Sequence, residues 1–334
     1  MHVPGLRVLA LAAIWVSAGH AAPEGSRLFE FEYRVSLGDV AGHAKVWIPV
    51  PQDAAHQDIL ELNVETDAKH SYVTDPAFDN RFLFIERERG GIAVSMVFVV
   101  SRKPRIASDA DASVMLSTQD RSRYLDASRM VTTDGIVRDE AMRVAGDEAT
   151  TRAKARKLYD HIVDTVRYDK SGNGWGRGDA VYACDTRAGN CTDFHSLFIG
   201  EARSLGIPSR FSMGFSIPRD KPSSLIRGYH CWAEFYEDGI GWVPLDASEA
   251  FKDQTRRDEL FGGLDADRVL FTVGRDIKFP GMVGEPINFA IYPYVEVDGK
   301  PSDDVEYTFR YRDLDAVETA KRALMSGQEA QDKI

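Results

Sequence analysis

Apolar and charged residues alternate along Phe29-Glu30-Phe31-Glu32-Tyr33-Arg34-Val35, the two-residue period of a strand with one buried face. Residues 44–50, 82–87 and 92–100 carry further strand patterns, and Pro49 and Pro51 close the first of these, where a missing donor matters least. The period changes at 148–166, where Ala149, Ala153, Leu158, Ile162 and Val166 fall near one helical face and Arg and Lys cover the other. Four glycines within 168–179 then signal a loop, with Trp175 inside it. From Cys191 the helical period returns through Phe194, Leu197, Phe198, Ala202 and Leu205, and Gly206 and Pro208 end it. Residues 229–236 and 241–247 are strand-like around the turn signal Glu237-Asp238-Gly239-Ile240. Strand candidates recur within 265–278, 288–297 and 306–311, either finishing the sheet of this region or returning to the N-terminal strands, with Arg275 and Asp276 read as a solvated pair.

These patterns divide the chain into a β-rich unit at 27–106, a polar linker with short surface helices at 107–147, a core at 148–312 and a C-terminal surface helix or tail at 313–334. Ahead of them, Arg7, a short apolar run over 8–16 and the small residues of 17–22 have the layout of a secretory signal peptide at 1–21, cleaved after Ala21. The apolar run is too short to span a bilayer, so an exported, periplasmic or secreted protein with no integral span after signal removal is expected. A net charge of -11 argues against a nucleic-acid partner.

Chemistry enters with the cysteines. Cys184, Cys191 and Cys231 cannot all pair within one chain, so at least one thiol stays free or pairs with another molecule. Cys191 falls in the first turn of its helix, behind Gly189 and the candidate cap Asn190. The unpaired N–H groups and positive dipole end there favour thiolate. A hairpin turn centred on Asp238 sets His230 opposite Asp246, Trp232 opposite Pro244 and Glu234 opposite Trp242. An acid on one imidazole nitrogen fixes the tautomer and leaves the other nitrogen to take a proton from a thiol. Singly, each feature also suits a structural role, a buried helix-start cysteine or a surface His-Asp pair. Their combination points to a Cys191, His230, Asp246 relay.

The stretches Gly189-Asn190-Cys191-Thr192-Asp193-Phe194-His195-Ser196-Leu197-Phe198, His230-Cys231-Trp232-Ala233-Glu234-Phe235 and Trp242-Val243-Pro244-Leu245-Asp246 resemble the core of the transglutaminase-like superfamily, over roughly 158–250. The resemblance implies Cys191 as nucleophile, His230 as base and Asp246 as orienting acid. It implies an α+β, papain-like fold, the nucleophile helix packed on an antiparallel sheet, preceded by a β-sandwich-like N-terminal domain. It also suggests Trp175 as an oxyanion-hole donor through its indole N–H, beside the backbone N–H of Cys191, with Asn173 and Tyr168 behind it.

No calcium-binding pattern or extra C-terminal sandwich of the animal cross-linking enzymes is evident, and no cofactor is expected. The implied reaction is cleavage or transfer of an amide acyl group through a Cys thioester, on a protein or peptide; a cell-envelope peptide is suggested by location alone. The alternative is a binding or scaffolding module with an idle triad. A zinc set of Cys191, His195, His230 and Cys231 is disfavoured, because neighbouring strand residues point to opposite faces and no paired C-x-x-C spacing occurs. Cys231, facing away from His230, is instead a candidate to pair with Cys184 in an oxidising compartment, leaving Cys191 free. His195 is read as lining the cleft or packing below it.

Overall fold

The computed structural model describes residues 25–106, 115–315 and 318; the expected signal peptide at 1–21, residues 107–114 and most of the expected tail lie outside them. Six strands come first: β1 (Arg27–Val40), β2 (Ala44–Val50), β3 (Gln57–Glu65), β4 (His70–Thr74), β5 (Arg81–Arg87) and β6 (Gly90–Arg102). In β1 the alternation buries Phe29, Phe31, Tyr33, Val35 and Leu37. Helices α1 (Thr118–Arg123), α2 (Gly135–Ala145) and α3 (Thr151–Thr165) follow, then the short β7 (Arg167–Tyr168), α4 (Ala180–Thr186), β8 (Ala188–Gly189) and α5 (Cys191–Ser204). The chain continues through β9 (Ser209–Ser216), β10 (Ser223–Ile226), β11 (His230–Glu237), β12 (Gly241–Leu245), α6 (Ala247–Lys252), β13 (Arg268–Val273), β14 (Tyr294–Val297), β15 (Lys300–Ser302) and β16 (Val305–Asp313).

Two five-stranded sheets, ordered β10-β16-β1-β6-β3 and β15-β14-β2-β5-β4, make the sandwich. Of the two destinations open to the C-terminal strands, β14 to β16 take the sandwich: β16 pairs with β1 from Phe29↔Asp313 to Leu37↔Val305, and β14 pairs with β2. Strand β13, by contrast, completes the sheet β12-β11-β9-β13 on which α5 packs. Every residue of α5 except Ser204 is buried, so this helix is covered on all sides. Phe31 of the sandwich meets Phe215 and Phe271 of that sheet at 5.5 and 5.6 Å, joining the two parts through one apolar core.

Three local expectations change. Helix α2 lies at the surface but is more than a linker, because it buries Val137, Ala141 and Ala145 against α5 while Ile136 and Met142 stay exposed. The hairpin pairs Glu234 with Pro244 and Tyr236 with Trp242, two positions from the expected register. The cause is the turn: Ile240 N–H bonds Glu237 C=O at 3.1 Å and Gly239 takes φ 82°, so the hairpin centres on Gly239 rather than Asp238 and each partner moves by two. Arg275 and Asp276 are not a solvated pair either. Arg275 is buried against Ser196, Asn288 and the carbonyls of Arg177 and Gly178, while Asp276 binds Arg129.

Candidate active site

The site is built where α5 begins. Asn190 caps the helix, its Oδ1 accepting the Thr192 N–H at 2.9 Å, and Asp193 reaches back to the Asn190 N–H at 2.9 Å, a reciprocal capping box. The Asp193 carboxylate also accepts the N–H groups of Gly176 at 2.6 Å and Gly178 at 3.0 Å, which ties the glycine-rich loop to the first helical turn. Gly178 holds φ +62°, and a Cβ there would lie 2.6 Å from Thr192 Cγ2 and 2.7 Å from Ser196 Oγ, so glycine is required for the approach. Tyr229 closes the other side, with its OH 2.7 Å from Thr192 Oγ1 and receiving Asn190 Nδ2 at 3.1 Å.

Cys191 is 2% exposed. Hydrogen bonds from Cys231 and from His230, together with the charge of His230, hold its thiol well below the usual range although burial pushes the other way. His230 points Nε2 at Asp246 Oδ2, 2.6 Å away, which leaves Nδ1 for the sulfur. Burial opposes its charge, but Asp246 and Cys191 push the imidazole up to about 10. The two shifts describe one coupled pair, a thiolate beside an imidazolium.

Asp246 follows β12 as the N-cap of α6, one residue beyond the ladder. The register shift therefore does not carry it away from His230, because the side chain reaches back from the cap. Its Oδ1 accepts the Glu249 N–H and Ser248 Oγ, each at 3.1 Å, and its Oδ2 accepts Arg268 Nη1 at 3.1 Å. Burial raises a carboxyl, yet the charge of His230, the bond from it and the charge of Arg268 hold Asp246 well below the usual range.

Around this line sit three further groups. His195 Nε2 accepts the Ala247 N–H at 3.1 Å, an assignment that places its proton on Nδ1, and Nδ1 lies 3.6 Å from Cys231 Sγ. Burial, then contact with Cys191, pushes Cys231 well above the usual thiol range, so it remains an S–H donor. Arg268, 2% exposed, bridges Asp246 and Asp265 and stacks over Trp232 at 5.1 Å. A single Arg ahead of Val269-Leu270-Phe271 carries no pattern that marks it, whereas a cysteine directly after the candidate histidine was a visible signal, assigned to the wrong partner.

Cys231 lies against His195 of α5, 3.6 Å from its Nδ1, and not against Cys184. Pairing of Cys231 with Cys184 is therefore overturned. Cys184 lies against Ile136 O and Glu140 Oε2 at 3.8 and 3.7 Å, and all three cysteines are free thiols. Among the described residues, no group of three or more His, Cys, Asp or Glu side chains is arranged to hold a metal. Trp175 is half-buried in the loop that Asp193 draws to the helix start, with Lys170 Nζ 5.9 Å from its ring.

A thiol at a buried helix start, on an α+β core behind a β-sandwich, is the architecture of the papain-like and transglutaminase-like proteins. The chain carries a transglutaminase-like core: residues 138–247 match the model of the Transglutaminase-like superfamily. An uncharacterized protein of Haemophilus influenzae is 27% identical over 317 residues, covering 81% of this chain and 86% of that one. A solved structure of a candidate cysteine protease from Cytophaga hutchinsonii shares the fold with a TM-score of 0.59 at 18% identity, covering 87% of this chain and 92% of the other. Among the described residues no helix is long and apolar enough to cross a membrane.

Proposed function

We propose that this is an exported thiol enzyme that cleaves or transfers the acyl group of an amide in a protein or peptide, with Cys191 as nucleophile, His230 as acid and base and Asp246 as the group that orients it. The observation that carries the reading is the buried His230–Asp246 pair, 2.6 Å apart, whose charge lowers the thiol of Cys191 at the first turn of α5. The thiolate attacks the amide carbonyl carbon and forms the C–S bond. The C–N bond breaks as the His230 imidazolium gives its proton to the departing nitrogen. Water or an amine then loses a proton to the neutral imidazole and attacks the thioester, which restores thiolate and imidazolium. The developing oxyanion is met by the Cys191 backbone N–H and by the Trp175 indole N–H. Export rests on the signal-like N-terminus, and with it a cell-envelope peptide becomes a reasonable substrate.

Iodoacetamide at neutral pH tests the nucleophile. Cys191 is expected to alkylate at least about tenfold faster than a free thiol, and His230→Ala to remove the advantage. Equal rates in the two proteins would end the proposal. Trapping of acyl-enzyme on the wild type, with Cys191→Ala as control, then identifies the amide. The near-complete burial of Cys191 favours a second reading, a binding module whose thiol stays covered, and that reading requires slow alkylation and no acyl-enzyme.

A further inference from the structure

Where the sandwich meets the β11 sheet, one guanidinium is buried without a counter-charge of its own. Arg102, the last residue of β6, is 5% exposed, and its Nε makes no hydrogen bond among the described residues. It lines a cavity of about 50 Å³ together with Arg105, Arg210, Trp232 and Glu234. The carboxylates that act on it are already engaged. Glu234 accepts Arg210 at 2.7 Å and Ser212 at 2.8 Å. Asp265 accepts Arg268 at 3.1 Å, Arg256 at 2.7 Å and Arg219 at 2.9 Å. Burial and the nearby Arg268 lower Arg102 to about 10, which still leaves it charged at neutral pH.

A buried cation persists when it is paired and hydrogen-bonded. Water would satisfy the N–H groups and leave the charge. The cavity exceeds the roughly 10–15 Å³ that one water requires and falls far below the roughly 300 Å³ of an organic-ligand pocket, which limits an occupant to a small ion with a water or two. The geometry points to a monovalent anion of halide size, chloride in the first instance, bound against Arg102 at the junction of the sandwich and the core. Its place is structural: Trp232, which lines the cavity, also stacks under Arg268, the partner of Asp246. The anion neutralises the junction on which that stack rests.

Crystals of the full chain grown with bromide in place of chloride test the site directly. An anomalous peak in contact with the Arg102 guanidinium supports it, and water density with no peak overturns it. In solution, chloride is titrated against gluconate at constant ionic strength. For a dissociation constant near 10 mM, the wild-type Tm is expected to rise by about 3 °C between about 5 and about 200 mM chloride. Arg102→Met is expected to show no rise, and equal responses in the two proteins overturn the assignment. If Arg102→Met does not fold, the bromide map of the wild type decides alone.

Discussion

The Cys231 sulfur lies 3.6 Å from His195 Nδ1, and Cys231 is the leading cause, ahead of His230, of the lowered Cys191 pKa. Replacing Cys231 by Ala removes the leading cause of the lowered Cys191 pKa. The midpoint of the Cys191 alkylation-versus-pH profile is expected to rise by about one unit. Cys231→Ser, which keeps a donor, recovers part of it. An unchanged midpoint in Cys231→Ala would show that His230 alone holds the thiolate.

The coupled pair fixes the form of the pH-stability curve. Folded His230 is raised to about 10, so its contribution is present below its unfolded value, about 6.5, and is lost as pH rises through 10. Folded Cys191 is depressed, so its contribution is present above its unfolded value, about 8.5, and is lost as pH falls. Between about 6.5 and about 8.5 both states hold one proton on the pair, and its contribution is flat. Above that window the unfolded thiol ionises while the folded imidazolium keeps its proton, and stability falls. Urea unfolding across this range checks the shape. In Cys191→Ala the flat stretch is replaced by a decline that begins near 6.5.

Arg268→Met leaves Asp246 buried with one cationic partner fewer. A loss of about 3 kcal/mol in unfolding free energy is expected from urea denaturation, the scale of a broken buried ion pair. A surface arginine such as Arg310, 58% exposed at the side chain, is the control and is expected to change stability by less than about 0.5 kcal/mol.

Trp175→Phe keeps the ring and deletes the indole N–H. If that N–H meets the oxyanion, kcat on whichever amide the trapping experiment identifies falls by about 100-fold with KM little changed. A change confined to KM would make Trp175 a wall of the cleft.

Much of the fold was legible because it is written in period. The alternation of β1 corresponds to one buried face, and the helical spacing after Cys191 to a helix that is covered on all sides. Strands β3 and β4 escaped notice for a physical reason: both are sheet edges, and Asp58, Glu61 and Asn63 in β3 face no continuous core. Helix α2 hid its buried side behind the short residues Ala141 and Ala145 and the buried Glu140, whose charge Arg187 and His161 compensate. In the site, His230 does meet Asp246, although the hairpin register lies two residues from the one the turn signal implies. Contact survives because a helix cap, not a ladder, aims Asp246. His195 and Arg268 act through distances that no local pattern records.

The pairing of β1 with β16 has a consequence for how the protein is made. The first strand of the sandwich finds its neighbour among the last residues described, Val305–Asp313, with the whole Cys191 core between them. During synthesis the core can assemble while the sandwich still lacks a strand, and until residue 313 is available the β1 edge stands open to pairing with other chains. A product truncated before β16 would keep every residue of the Cys191, His230, Asp246 line and still be prone to aggregate. Loss of yield, rather than loss of chemistry, is the signature to look for in such a fragment.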